Sequence, residues 1–224
     1  MSFVVAIDGP AGAGKGTITK KVAEKLKLVN VDTGATFRCV ALNMLNKNIG
    51  IDEEEKIKEL LDKINIEMKS SGEIFLNGEN VTKRIRENDV NNFVSPVSTI
   101  QPVRDKLLEI QRKIAEGKDV IMEGRDIGTV VFPNANVKIY LDATPEERAK
   151  RRVLQNEEKG IKTSYEEVLE NIKDRDKRDS NRKVAPLKKA DDAIYIDSSN
   201  MTINEVVENV IALINDKYNN SKVK

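Results

Sequence analysis

The sequence predicts an α/β fold in which helices flank a five-stranded parallel sheet, because short apolar runs alternate with segments of helical period. Five apolar runs are each about a strand long and bounded by polar residues, as is typical of strands buried on both faces. They are FVVAI (3–7), LVNV (28–31), DVIME (119–123), VKIYLD (137–142) and AIYID (193–197). The intervening helices favour strands that all run in one direction.

The segments between the strands carry helical periodicity and recognisable starts. In residues 15–27 an apolar residue recurs every four positions, and lysines fill the opposite face. In TPEE (144–147) the threonine is the expected N-cap, the proline takes the first helical position and the glutamate closes a capping box. SYEE (164–167) and TINE (202–205) repeat this signal, so we predict helix starts at all three points.

One stretch breaks the alternation of strands and helices. Residues 64–82 alternate polar and apolar side chains around a Ser-Gly pair and the pair Asn77-Gly78, which predicts a small antiparallel hairpin unit. Helical period then returns and is interrupted near Pro96 and Pro102. The simplest interpretation is a compact insertion on one α/β core.

Composition restricts the kind of ligand. The 224 residues include 38 Lys and Arg against 37 Asp and Glu, and this balance argues against holding a nucleic acid polymer or a membrane surface by bulk charge. Aromatic residues are only 4% of the chain, too few for an extended stacking platform for single strands. The chain contains no histidine, which excludes histidine acid–base chemistry and histidine metal ligands. We expect a small ligand that is held locally.

The cysteine count and the N-terminus favour the cytoplasm. Cys39 is the single cysteine, so an internal disulfide is excluded. The first apolar run is too short for a secretory signal and has no basic region before it, and no run reaches the length of a membrane span. We predict a soluble cytoplasmic protein.

A glycine-rich segment, DGPAGAGKGT (8–17), lies between the first predicted strand and the first predicted helix. Gly9 and Gly14 are separated by four residues and Lys15 follows, which is the spacing of a loop that wraps its backbone N–H groups round a phosphate at a helix N-terminus. Lys15 would then bridge the terminal phosphates of a nucleoside triphosphate. The alternative is a glycine-rich turn that only connects strand to helix.

The residue after the lysine departs from the general pattern of such loops. Gly16 stands where a Ser or Thr hydroxyl usually contacts magnesium, and Thr17 comes one position later. GKGT resembles the loop of nucleoside monophosphate kinases, in which the metal is held largely by nucleotide and water. The resemblance therefore implies no direct protein ligand for the metal.

Two sets of arginines stand in the second half of the chain. They are Arg148, Arg151 and Arg152 in one predicted helix and Arg175, Arg178 and Arg182 in the next. Each set lies largely on one helical face, so the two sets could clamp a polyphosphate. A solvated charged face is the alternative, because Asp174, Asp176 and Asp179 are interleaved with the second set and could pair with the arginines.

Two polar clusters follow predicted strands directly. DTGATFR (32–38) ends the second run, and EGRDIGTVVFP (123–133) ends the third. The carboxyl ends of parallel strands face the ligand crevice, so we expect both clusters beside the glycine-rich loop. Bare turns with surface charges are the alternative.

Five motifs in this order resemble the bacterial cytidylate kinases: IDGPAGAGKGT, DTGATFR, EGRDIGTVVFP, DATPEERAKRR and RDKRDSNRKVAPL. The similarity covers essentially the whole chain, including the insertion. It implies a P-loop kinase of one domain, 1–224, with a small β-containing monophosphate-binding insertion and a helical lid. The implied core is about 1–60, 96–145 and 185–224, the insertion about 61–95 and the lid about 146–184.

The resemblance also implies an activity and its ligands. The family transfers the terminal phosphoryl group of ATP to CMP or dCMP and uses Mg²⁺. The implied partners are therefore small nucleotides, without nucleic acid or membrane, and a monomer is expected. An adenylate, uridylate or shikimate-type kinase would share the loop. A nucleotide-dependent switch would too, although its Asn-Lys-x-Asp and Asp-x-x-Gly tetrapeptides do not occur here.

Residue by residue, the resemblance implies the following sites. The ATP phosphates would lie on Gly9, Pro10, Ala11, Gly12, Ala13, Gly14, Lys15, Gly16 and Thr17. The CMP phosphate would contact Thr33, Arg38, Arg125 and Arg182, with Phe37 packed nearby, and the sugar would contact Arg175 and Asp179. Cytosine would contact Ser95, Arg104 and Asp126. The implied catalytic side chains are Lys15, Arg125, Arg148, Arg151 and Arg182.

The implied base contacts agree with the chemistry of cytosine. Its exocyclic amine can donate to the Asp126 carboxylate, while its N3 and O2 accept from an arginine or a hydroxyl. Uracil would present an oxygen to Asp126 and be repelled. The chain departs from the commonest family pattern at Thr33, where serine is frequent, and at Phe37, where tyrosine is frequent. Thr33 keeps a hydroxyl, whereas Phe37 loses one.

Overall fold

The structure is a computed structural model that describes residues 2–69, 71–158 and 160–222. The strands in chain order are β1 Val4–Asp8, β2 Val29–Asp32, β3 Ile66–Met68, β4 Ile74–Leu76, β5 Glu79–Asn80, β6 Val120–Gly124, β7 Val137–Asp142 and β8 Ile194–Asp197. The helices are α1 Lys15–Leu26, α2 Thr33–Asn46, α3 Glu54–Asp62, α4 Asn88–Val97, α5 Gln101–Ala115, α6 Pro145–Glu157, α7 Tyr165–Asn181 and α8 Ile203–Lys222. A 3₁₀ turn covers Arg84–Arg86, and a π-helical turn covers Ile127–Val131.

The central sheet confirms the predicted fold class. Its five strands lie in the order β2-β6-β1-β7-β8, and every neighbouring pair is parallel. Each strand coincides with a predicted apolar run to within one residue at either end. In the register, Asp8 at the end of β1 lies opposite Gly124 of β6 and Tyr140 of β7. The carboxyl ends of the strands therefore meet at one edge of the sheet, where the polar motifs follow.

Helices cover both faces of this sheet. Successive side chains of a strand point to opposite faces, and in β1 Val5 and Ile7 pack with α1, β7 and α8 while Val4 and Ala6 pack with β6 and the π-helical turn. All four side chains are buried. The sheet is therefore a rigid layer that fixes the positions of the loops at its carboxyl edge.

The insertion predicted at residues 64–82 is a three-stranded antiparallel sheet in the order β3-β4-β5. Asn77 and Gly78 connect β4 to β5 with φ values of 50° and 88°, as a two-residue hairpin turn requires. The apolar side chains of β3 and β4 join the same core as α2, α4 and α5. Near the predicted interruptions, α4 ends one residue after Pro96, and α5 has Pro102 in its first turn.

The predicted helix starts are confirmed, with one exception in detail. Ser164 and Thr202 each form a reciprocal capping box with the glutamate three residues on. At α6 the Thr144 hydroxyl accepts from the Glu147 N–H at 3.3 Å, but the Glu147 carboxylate bonds Lys150 Nζ at 2.7 Å. The predicted capping box at this start was therefore wrong in its second half, because the lysine one helical turn on provides a charged partner.

None of the helices in the described part of the chain combines the length and apolar character needed to cross a lipid bilayer.

Candidate active site

The glycine-rich loop connects β1 to α1 at the carboxyl edge of the sheet. Gly9 has a φ of 150°, and a Cβ there would lie 1.9 Å from the carbonyl oxygen of Leu141, so only glycine fits. Lys15 opens α1 and is buried, and its Nζ donates to the carbonyls of Gly9 and Pro10 at 2.7 Å each. Burial and then the charge of Arg125 lower the pKa of Lys15 to about 7. An anion bound in the loop would therefore stabilise the charged form of Lys15.

Glu123 is a site residue that sequence reasoning missed. It is the penultimate residue of β6, and a Cβ at Gly16 would lie 3.0 Å from its Oε1 atom. The glutamate carboxylate thus occupies the space that a serine or threonine side chain at position 16 would need. Burial, followed by the charge of Asp32, raises the pKa of Glu123 to about 7. Its signal in the sequence was an acid at the end of the strand beside β1.

The residues predicted for the acceptor phosphate lie around the end of β2. Asp32 accepts the Ala35 N–H at 3.0 Å with one carboxylate oxygen and Arg38 Nη2 at 2.7 Å with the other. Arg86, from the 3₁₀ turn of the insertion, lies 3.3 Å from that same second oxygen. Burial opposes ionisation of Asp32, but Arg38 and Arg86 outweigh it and hold the pKa of Asp32 below its usual value. Two guanidinium groups therefore share one carboxylate, which leaves positive charge for a phosphate.

Thr33 and Phe37 are both in this region. The Thr33 hydroxyl donates its single hydrogen to the Glu123 carbonyl at 2.7 Å. The hydroxyl oxygen can therefore still accept a hydrogen bond, but it has no second hydrogen to donate. The ring of Phe37 lies 5.3 Å from the guanidinium carbon of Arg104. Phe37 therefore packs against a residue that was predicted to contact the base.

The predicted base-contacting residues meet at the start of the π-helical turn. Asp126 and Arg104 are 6% and 8% exposed, and Arg104 Nη2 donates to Asp126 Oδ2. Arg104 Nη1 donates to the Ser98 carbonyl at 3.0 Å, and Arg182 Nη2 lies 3.7 Å from Asp126 Oδ1. Ser95 lines a neighbouring cavity of about 330 Å³ together with Arg182. A buried carboxylate and two arginines thus converge on one point.

The residues predicted for the sugar connect α7 to the end of β6. Asp179 lines the same cavity and accepts Arg125 Nε at 3.1 Å, while Arg175 Nε lies 3.9 Å from the same oxygen. Burial, and then the charge of Arg125, lower the pKa of Arg175 to about 10. Arg125 therefore links the motif that follows β6 to the helix that carries Arg175 and Asp179.

The arginines of α6 lie beside the glycine-rich loop. Arg148 is 3% exposed; it donates to the carbonyls of Ala11 and Ala143 at 3.0 and 2.9 Å, and it forms a bidentate pair with Asp176 at 3.0 and 2.6 Å. Arg151 donates to the Ser198 carbonyl at 2.6 Å. The interleaved aspartates do pair with arginines here, so the charged-face alternative applies to Asp176. Arg148 reaches the loop itself, however, and is not a solvated side chain.

No group of three or more acidic or cysteine side chains within the described ranges is arranged to hold a metal ion by protein atoms alone.

The family model and the curated relatives agree on one family. The model of the cytidylate kinase family matches residues 5–216. A cytidylate kinase of Caldicellulosiruptor saccharolyticus is 51% identical, over 93% of this chain and 94% of its own. A cytidylate kinase of Bacillus subtilis is 44% identical, over 95% of this chain and 96% of its own.

A likeness among solved structures concerns the fold alone. A gluconokinase from Sinorhizobium meliloti superposes with a TM-score of 0.52 at 10% sequence identity, covering 99% of this chain and 96% of its own. The fold is thus shared with a kinase of unrelated sequence. The match over residues 5–216 and the relatives of 44–51% identity are more specific. The chain belongs to the cytidylate kinase family.

Proposed function

We propose that this enzyme transfers the terminal phosphoryl group of ATP to CMP and dCMP. The observation that carries the proposal is the buried Arg104–Asp126 pair, which lies at the same sheet edge as the glycine-rich loop. A carboxylate accepts from the exocyclic amine of cytosine, and an arginine donates to N3 and O2. Family membership supports the same substrate class.

Without CMP, Asp126 and Arg104 satisfy each other, because Arg104 donates to the Asp126 carboxylate. Arg182 Nη2 lies 3.7 Å from Asp126 Oδ1 and is buried without a hydrogen-bond partner among the described residues, so it remains free to donate to a ligand. Cytosine can take over part of this pairing without leaving a buried charge alone. Uracil would place an oxygen against Asp126 and leave the carboxylate without its donor, which is costly for a buried charge.

The transfer step is proposed to be direct and in line, without a covalent enzyme intermediate. The chain has no histidine to activate a serine or cysteine, and its one cysteine, Cys39, is buried with its pKa raised to about 12 by burial. Catalysis then consists of positioning and charge neutralisation. Lys15 would hold the donor phosphates, and Arg38, Arg125 and Arg182 would hold the acceptor phosphate.

Arg148 and Arg151 act on the donor side in this proposal. Arg148 bonds the loop carbonyl of Ala11 and is held by Asp176, so it fixes the loop and adds charge beside it. Arg151 lies about 4.0 Å, at Nη1, from the position of a Cβ on Gly14. Both guanidinium groups thus lie close to the backbone that would wrap the ATP phosphates, from Gly9 to Thr17.

The residues present fit a magnesium ion bound with the nucleotide. Glu123 places carboxylate oxygens over Gly16, and hard oxygen ligands are those that Mg²⁺ prefers. Mg²⁺, when bound, neutralises phosphate charge and favours the ionised form of a neighbouring acid. We propose that nucleotide and water hold the ion and that Glu123 is the acid which would accept from one of its water ligands.

Two segments are proposed to close the site. The lid, about 146–184, carries Arg148, Arg151, Arg175 and Asp179, and the insertion, about 61–95, carries Arg86 and Ser95. Closure excludes water, which would otherwise compete with CMP for the phosphoryl group. A monomer in the cytoplasm, with nucleotides as its only partners, remains a prediction.

Turnover measured across a panel of acceptors tests the proposal. With ATP and Mg²⁺, a coupled assay is run with CMP, dCMP, UMP, AMP, shikimate and no acceptor. We expect CMP and dCMP to exceed every other acceptor in kcat/KM, and Lys15→Ala to abolish turnover. If CMP were no better than UMP or AMP, the cytosine assignment would be wrong. Slow hydrolysis of ATP at the same rate with every acceptor and with none would indicate a nucleotide-dependent switch.

A further inference from the structure

A buried aspartate at the border of the ATP loop contacts the base-reading segment. Asp8 is the last residue of β1 and is 4% exposed. Its two carboxylate oxygens accept the N–H groups of Ile127 and Gly128, at 2.8 and 2.7 Å. These two residues open the π-helical turn that follows Asp126 directly. One side chain thus joins residues about 120 positions apart in the chain.

The other end of the turn is held by a cation. Arg112 of α5 donates to the carbonyls of Val131 and Val130, at 2.9 and 3.1 Å. The negative charge of Asp8 therefore lies at the N–H end of the turn, and the positive charge of Arg112 lies at its carbonyl end. This is the favourable arrangement for a helical dipole. Within the turn, the Asp126 carbonyl accepts the Val130 N–H at 2.8 Å.

The two contacts control a backbone of unusual geometry. π-helical turns are rare and often lie at functional sites, and this one begins directly after Asp126, the residue that is proposed to read cytosine. Lys138 of β7 also packs against Gly128 with its aliphatic stem, but its ammonium group donates to the Pro133 carbonyl and to Asp192, outside the turn. A displacement of the turn would move the Asp126 carboxylate away from the position set for the cytosine amine.

We propose that Asp8 and Arg112 are positioning residues for Asp126, which clamp the π-helical turn and so set the preference for cytosine. Asp8 borders the loop for ATP, yet its effect falls on the acceptor base. The inference rests on the proposed function, since it concerns how that same site distinguishes CMP from UMP.

The test compares two aspartates at the same edge of the sheet. Asp8→Asn keeps the shape but leaves one acceptor for two N–H groups. Asp142→Asn is the matched control, because Asp142 ends β7 and its carboxylate accepts, among the described residues, from Ala143 N at 2.8 Å and Tyr195 Oη at 3.2 Å, neither of which belongs to the π-helical turn. For Asp8→Asn we expect the CMP:UMP ratio of kcat/KM to fall about tenfold, the size expected for one unsatisfied buried donor, while KM for ATP stays within about twofold. Asp142→Asn should leave the ratio unchanged.

Hydrogen exchange of the ligand-free protein gives a second readout that needs no substrate. We expect the Ile127 and Gly128 amides to exchange faster in Asp8→Asn, while the Val120 amide of β6, which donates to Phe3, stays protected. If these amides exchanged faster but the CMP:UMP ratio stayed constant, Asp8 would only support the fold. An equal rise in KM for ATP and CMP would also overturn the proposal.

Arg112→Gln provides a variant that does not alter the sheet. Arg112 lies on the surface of α5, and Lys113→Gln beside it is the control. We expect a smaller fall of the CMP:UMP ratio for Arg112→Gln, about threefold, and none for Lys113→Gln. No change for Arg112→Gln would contradict the clamp, even if Asp8→Asn failed to fold. Failure of the proposed function would differ, because the wild-type protein itself would then show no preference for CMP.

Discussion

Asp126 and Arg104 form an ion pair in which both side chains are less than a tenth exposed. Such a pair contributes little net stability, because desolvation offsets the attraction, but it leaves two charged groups at fixed positions. Arg104 is fixed further by the Ser98 carbonyl and the ring of Phe37. The pair is therefore better suited to recognising a base than to stabilising the fold.

Replacing Asp126 should change the base preference of the enzyme. In Asp126→Ala the cytosine amine loses its acceptor, so we expect KM for CMP to rise about 10- to 100-fold, with KM for ATP little changed. The CMP:UMP ratio of kcat/KM, measured by steady-state kinetics, should fall. Asp174→Ala, which alters an exposed aspartate of α7, is the control. Equal losses for CMP and UMP would show that Asp126 does not read the base.

Asp8 makes the base preference dependent on pH. Burial raises the pKa of Asp8 to about 6, although the Ile127 and Gly128 N–H groups oppose the shift; Asp126 raises the pKa further, and Lys15 lowers it. Tyr140 also faces Asp8 but stays neutral, because burial raises its own pKa to about 12. Below pH 6 the folded protein protonates Asp8, which removes one acceptor from the turn. Above pH 6 both acceptors are present.

We therefore expect the CMP:UMP ratio of kcat/KM to decline as pH falls from 7.5 to 5.5. The ratio is the useful quantity, because the phosphate of both substrates titrates near pH 6 and its effect cancels. Lys15 and Glu123, whose pKa values lie at about 7, affect both substrates alike. In Asp8→Asn the ratio should be independent of pH over this range, and an unchanged inflection in that variant would contradict the assignment.

At the level of single residues, the sequence predicted the charged groups better than their partners. Motif spacing led to Lys15, Arg38 and Asp126, because each stands in a polar motif that directly follows a predicted strand, whereas Arg104 was implied by the family resemblance alone. The sequence motifs did not assign Glu123 to the site, because its position beside Gly16 depends on the register between β1 and β6. Contacts between residues that are distant in the chain are set by the tertiary fold, and a local sequence pattern does not predict them.

At the level of elements, the 3₁₀ turn of the insertion shows two arginines with different surroundings. Arg84 forms a bidentate pair with Asp89 of α4, at 2.8 and 2.6 Å. Arg86 points to Asp32, which already holds Arg38. Arg38 Nε is buried and has no hydrogen-bond partner among the described residues. The second arginine therefore joins the group of cations predicted for the acceptor phosphate.

We expect Arg86→Ala to weaken binding of the acceptor phosphate, while Arg84→Ala does not. Loss of one charged hydrogen bond to a phosphate should raise the dissociation constant of CMP about tenfold. Cytidine lacks the phosphate, so its affinity should change by less than about twofold, and calorimetric titration of both ligands measures the difference. A parallel loss for cytidine would mean that Arg86 only supports the insertion.

The elements themselves were predictable where burial dictates a regular pattern. The three middle strands, β1, β6 and β7, are largely buried on both faces and therefore read as apolar runs, whereas the edge strands β2 and β8 are only partly buried. The two-residue strand β5 was not separated from the predicted hairpin, because Glu79 and Asn80 are both exposed. The π-helical turn was read as part of a polar cluster, since its contacts with Asp8 and Arg112 join residues that are distant in the chain.

At the level of the whole molecule, the insertion shares an apolar core with the central unit, whereas the two lid helices have a separate one. The insertion shares a large core with α2 and α5, so it is anchored to the central unit. Helices α6 and α7 pack on each other through a small core of their own, formed by Ala149, Val168 and Ile172 with three partly buried neighbours. Polar contacts attach this pair to the rest, through Arg148 to Ala11 and Arg125 to Asp179. A unit with its own core and polar attachments can move as one body.

Limited proteolysis can measure this movement. Lys162 is exposed in the loop that joins α6 to α7, and trypsin cleaves such a site in proportion to the time the loop spends open. With CMP and a non-hydrolysable ATP analogue together, phosphate charge recruits arginines from both lid helices, and we expect cleavage at Lys162 to slow about fivefold or more. Cleavage at Lys118, in the exposed turn before β6, serves as the internal control and should keep its rate. If the ATP analogue alone gave the full protection, the lid would respond to the donor only, and the acceptor would play no part in closing it.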